Sequence, residues 1–160
     1  MTDTNSRGLG ESSAALGLIR KFGVGRLSYP YELDGETLWD AGSYSGRLYL
    51  SLVKGAAEHL ELPSGLIENA RIGGCDIDLP AFRVFVEGLY ESYSSAGNPV
   101  LLGLSRGLLA TSLVLLDMAG SSLMLRAEHE EVLRSEMASY GRSMGSANWR
   151  QYGSYRNPSN

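Results

Sequence analysis

The stretch Gly103-Leu104-Ser105-Arg106-Gly107 has the G-x-S-x-G form that sets a nucleophilic serine on a strand-to-helix elbow, and Asp117 and His129 follow it in the order serine, acid, histidine. That chemistry requires a strand ahead of the serine. Pro99 to Met118 reads instead as one uninterrupted helix, so Ser105 is expected not to be a nucleophile, and Gly103 and Gly107 are expected to admit a neighbouring helix. Cys75 is the one cysteine, with His59 and His129 the two histidines available as a base. Asp76 and Asp78 beside it disfavour a thiolate, and a buried inert thiol is the expected state. One cysteine and two histidines lack paired ligand spacing, so no metal site is expected.

Asp34, Glu36, Asp40, Asp76 and Asp78 are carboxylates of the kind that perform acid-base work or hold a cation. A turn claims Asp34 and a helix cap claims Asp78, which makes these positions structural. Tyr29, Tyr31 and Trp39 are expected either to line a pocket or, on a small hairpin packed against helices, to sit in the core. Arg142, Trp149, Arg150, Tyr152, Tyr155 and Arg156 mix cations with stacking surfaces suited to single-stranded nucleic acid or an acidic groove. Their surroundings show neither caps nor apolar periodicity, so residues 141–160 read as a disordered tail.

The elements that must position these groups follow from periodicity. Leu27, Tyr29, Tyr31 and Leu33 alternate with polar residues, and Asp34-Gly35 predicts a tight turn into Thr37-Leu38-Trp39. Pro30 demands an edge strand or a bulge. Leu48, Leu52, Val53, Ala56, Ala57 and Leu60 predict a helix from about 45 to 60. Asp78 before Leu79-Pro80 caps a second helix with the stripe Phe82, Phe85, Val86, Leu89 and Tyr93. Asn98-Pro99 repeats the signature and opens a third helix closed by Gly120, with Leu104, Leu108 and Leu109 in the core. Residues 121–126 read as a strand or a helical start, and 128–140 as a helix with Val132, Leu133 and Met137 inward. Gly73-Gly74 reads as a loop. The expected fold is α+β, mainly α, with a short N-terminal β-hairpin packed on about four helices. A flexible extension over 1–26 precedes a single domain over 27–140.

Composition bounds the function. The 160 residues, 43% hydrophobic, suffice for one core without staples. No signal peptide or membrane span is read, because Ser105, Arg106 and Asp117 interrupt the longest apolar region; with one cysteine, a cytoplasmic location is expected. Residues 31–136 hold sixteen carboxylates against seven cations, a net of −9 within a chain of net −4. Such a body repels phosphate backbones, so nucleic acid is not an expected partner for it.

The run Tyr29-Pro30-Tyr31-Glu32-Leu33-Asp34-Gly35-Glu36-Thr37-Leu38-Trp39, with Leu62-Pro63-Ser64-Gly65-Leu66, Cys75-Asp76-Ile77-Asp78 and Asn98-Pro99-Val100-Leu101, resembles a small actinobacterial domain family of unknown function over residues 28–120. The resemblance implies a bacterial cytoplasmic origin and carries no catalytic residues.

The expectation drawn from these residues is a non-enzymatic protein-binding domain, immunity- or antitoxin-like. Glu58, Glu61, Glu87 and Glu91 on solvent faces of the first two helices would capture a basic protein, with no cofactor. The alternative is an accessory enzyme or small-molecule-binding protein of a biosynthetic pathway, using Tyr31 and Trp39. A third possibility is self-association as a homodimer.

Overall fold

Asp34 and Gly35 both adopt positive φ, 53° and 85°, which is the turn geometry that lets two twisted strands fold back on each other. They join β1 (Ser28–Leu33) to β2 (Glu36–Gly42), antiparallel, with a register shift between Tyr31 and Glu32. The computed structural model describes residues 27–153; the expected extension over 1–26 lies outside them. Pro30 itself pairs in register with Asp40 of β2, one residue before the register shift. β1 pairs on its other side with β4 (Gly74–Ile77), in parallel, and β4 pairs antiparallel with β3 (Leu66–Asn69).

The expected hairpin is therefore half of a four-stranded mixed sheet of order β2-β1-β4-β3. Gly73-Gly74, read as a loop, is the turn into β4 and its first residue. A Cβ on Gly74 would lie 2.1 Å from the Pro30 carbonyl oxygen, so its missing side chain is what allows β4 to approach β1.

β2 leads into α1 (Ser43–Leu60), which crosses the sheet with Gly46 against the Tyr29 side chain. Its buried face is Gly46, Tyr49, Leu50, Val53 and Ala57. The expected face was rotated from this one: Leu48 and Leu52 are 47% and 50% exposed. Tyrosine and glycine supply much of the real contact, and neither registers as strongly apolar in a periodicity count.

The second helix, α2 (Leu79–Ser95), follows its sequence signature closely. Asp78 accepts from the Ala81 N–H at 3.1 Å, and Phe82, Phe85, Val86, Leu89 and Tyr93 are all buried. Gly65, at φ 67°, passes so near the start of α2 that a Cβ would lie 2.1 Å from the Phe82 nitrogen.

The third, α3 (Pro99–Met118), is capped by Asn98, which accepts from Val100 and Leu101. Its C-terminal half is core, with Leu109, Val114, Leu115 and Leu116 fully buried. Leu104, expected in that core, is 77% exposed, because the first turns of α3 extend past the layer that covers the rest. By length and composition α3 is the one helix among the described residues apolar enough to cross a membrane, and its buried half accounts for much of that apolarity.

Residues 121–126 are irregular. The next helix, α4 (Ala127–Met144), buries Leu133 and Met137 but leaves Val132 outside. The expected domain end at 140 falls inside α4, and α5 (Trp149–Tyr152) packs back on it. Residues 141–153 are thus helix and turn where a disordered tail was expected; Met144, Ser146 and Tyr152 are buried there. Tyr155 and Arg156 lie outside the described residues.

Candidate functional site

The aromatic residues of the hairpin form a closed stack. Tyr31 is fully buried and lies over Trp39 with ring centroids 5.2 Å apart and planes 15° apart. Tyr49 of α1 meets both edge-on, at 5.5 Å and 5.6 Å. The Tyr31 hydroxyl donates to the Gly46 carbonyl at 2.7 Å, and Tyr49 shares a hydrogen bond with Ser112 of α3 at 2.9 Å. Burial pushes the Tyr31 and Tyr49 phenols above their ordinary range. These polar tips are satisfied inside the protein, and the stack joins sheet to helices.

Cys75 is buried in β4, 3.6 Å from the Tyr29 hydroxyl. Burial raises its thiol pKa, with Glu68 and Asp76 acting in the same direction, which leaves no thiolate at neutral pH.

The residues of the serine-elbow pattern are each engaged elsewhere. Ser105 sits within α3 and donates to the Leu101 carbonyl at 2.6 Å. Asp117 accepts from Tyr152 and, at 3.0 Å, from Asn148. His129 lies edge-on to Tyr93, 5.3 Å between ring centroids. Asp117 therefore fastens the C-terminal segment, a role hidden from sequence because the partners lie more than thirty residues away. No group of three metal-ligating side chains occurs among the described residues. An open dent of about 380 Å³ on α4 is lined by Ser135, Ala138, Ser139, Arg142 and Ser143. The guanidinium groups of Arg142 and Arg150 both lie over the Trp149 ring, 4.4 Å and 5.2 Å from its centroid.

The carboxylates divide into spent and unspent charge. Glu87 accepts from Arg83 at 2.9 Å, and Glu91 is held by Arg126 at 2.9 Å, so these two contribute little net field. Glu68 pairs with Lys54, Glu130 with Arg134, and Arg106 approaches Glu136 at 4.0 Å. Asp78 caps α2 and Asp76 accepts from Asn69 at 2.8 Å. Glu58, Glu61, Asp34, Glu36 and Asp40 are exposed and have no ion-pair partner among the described residues.

Gly46 meets Tyr29, and Tyr31 meets both Gly46 and Tyr49. Of the unspent charge, Glu58 and Glu61 lie at the C-terminal end of α1, and Asp34 and Glu36 at the hairpin turn. Backbone carbonyls left open at a helix C-terminus add partial negative charge there. Leu62 then packs on Gly88 of α2, whose missing side chain leaves it room. In the sequence the hairpin acids read as turn residues or as candidates for acid-base work or a cation; the signal for their lack of an ion-pair partner is the absence of any Lys or Arg from residue 27 to residue 46.

A family model described as a family of unknown function, DUF6086, matches residues 27–146, which spans β1 through α4. No curated protein and no solved structure matches the chain.

Proposed function

We propose that this chain, which belongs to the family of unknown function DUF6086, is a non-enzymatic protein-binding domain that captures a basic partner at its acidic end. The observation that carries the reading is that Asp34, Glu36, Glu58 and Glu61, at the hairpin turn and the end of α1, are all exposed without an ion-pair partner among the described residues. Exposed carboxylates of one sign raise the local concentration of cationic surfaces and accelerate their encounter. The four lie on a rigid turn and a helix end, so little is lost in ordering them on contact.

The expected set Glu58, Glu61, Glu87 and Glu91 is narrowed by this reading. The pairs with Arg83 and Arg126 leave Glu87 and Glu91 as minor contributors, and the hairpin acids take their place.

The test is association kinetics with a basic protein captured from the host. For the native chain the association rate falls about tenfold or more between low and high salt. In the variant Asp34→Asn, Glu36→Gln, Glu58→Gln, Glu61→Gln the rate is low and nearly salt-independent, with folding unchanged. Binding that ignores both salt and the four substitutions would reject the reading.

A further inference from the structure

One face of α1 is left exposed by the described residues. Tyr44, Leu48, Leu52, Gly55 and His59 follow one another at spacings of four, four, three and four, which aligns them along one side of the helix. All five are exposed, Tyr44 at 74%. Gly55 is mid-helix with nothing within 4 Å of the position of a Cβ, so no packing among the described residues requires a glycine. A glycine there weakens the helix and leaves room for a further surface to approach closely.

The charges beside this face are arranged end to end. Arg47, near the start of α1, has no carboxylate partner among the described residues, and neither does Glu58, near its end. A helix with an unpaired cation at one end and an unpaired anion at the other is complementary to its own reverse.

From this we infer that α1 is the contact surface of a symmetric homodimer, its occupant the α1 of a second copy running antiparallel. A two-fold axis passing between Ser51 and Leu52 sets Tyr44 opposite the second copy's His59 and Leu48 opposite its Gly55. Leu48 then fills the space that the glycine leaves, and the two helices approach closely. Arg47 reaches Glu58 of the second copy, half a turn beyond the residue facing it, and the pair forms twice. The face spans about 22 Å at 1.5 Å per residue, so one helix pair gives an interface at the small end of the specific range. The dimer is accordingly reversible and depends on concentration. Glu58 is shared with the acidic end while Asp34, Glu36 and Glu61 stay outside the contact, and the inference does not rest on the acidic-end reading.

Sedimentation equilibrium of the full 160-residue chain tests it. The native chain shifts from monomer to dimer as concentration rises from roughly 1 to 200 μM. Leu52→Asp and Gly55→Leu, both at positions open to solvent, remain monomeric throughout with unchanged circular dichroism. Arg47→Glu weakens the dimer about tenfold or more, and adding Glu58→Arg restores it, because the reversed pair is equivalent. A native chain monomeric over the whole range overturns the inference. So does a dimer indifferent to Leu52→Asp, or a charge reversal that fails to rescue.

Discussion

Tyr152 shows how much one side chain outside the obvious core can hold. Its hydroxyl donates to Asp117, and burial together with that bond pushes its pKa from 10.0 up to about 12. A phenol whose pKa is higher folded than unfolded contributes stability in full below pH 10. That contribution is lost as pH rises from 10 through about 12. Tyr29, Tyr31 and Tyr49 are raised further by burial and steepen the same alkaline decline. Thermal melts across pH 8 to 12 should show the decline, and Tyr152→Phe should reduce it while costing about 1 to 2 kcal/mol at neutral pH. A melt insensitive to pH in Tyr152→Phe and native protein alike would count against this role. Gly65 makes the opposite demand, for a side chain that is not there. Gly65→Ala combines positive φ with backbone overlap at Phe82, and denaturant unfolding should register a loss of roughly 2 to 4 kcal/mol.

The secondary elements were legible in proportion to how local their signals are. Asp34-Gly35, Asp78-Leu79-Pro80 and Asn98-Pro99 each encode a turn or cap within three residues, and the structure uses all three as read. β3 and β4 were not legible, since four residues carry too little alternation; β4 is stabilised by pairing with β1 across about forty positions, and β3 by pairing with β4. Glu58, Glu61 and Glu91 are exposed and Glu87 is half-buried, and the cations Arg83 and Arg126 that neutralise Glu87 and Glu91 are contacts of the fold, invisible to composition. The leucine content of α3 also misled, since Leu104 was read into the core with Leu108 and Leu109. The corrected view predicts a sharp gradient along one helix. Leu109→Ala should cost about 2 to 5 kcal/mol, and Leu104→Ala should stay within about 0.5 kcal/mol, as measured by urea unfolding. Equal losses at both sites would mean that the first turns of α3 are covered.

At the scale of the whole molecule the described residues form a four-stranded sheet with helices packed on it, carrying exposed carboxylates that no cation among them pairs and one face of α1 that they leave exposed. Which carboxylates stay unpaired could not be read from the linear charge count, because pairing cations such as Arg126 for Glu91 lie 35 residues away. The C-terminal segment gives the molecule a second boundary problem. Met144 and Tyr152 belong to the same continuous core as the sheet, although the family match ends at residue 146. Anyone trimming the chain to that match would cut away Asn148 and Tyr152, stranding the Asp117 carboxylate and the Ser146 hydroxyl and baring the α4 surface around Gly141. A chain stopped at Gly153 should melt like the full-length protein and resist trypsin, whereas one stopped at Ser146 should melt earlier and be digested from its new end.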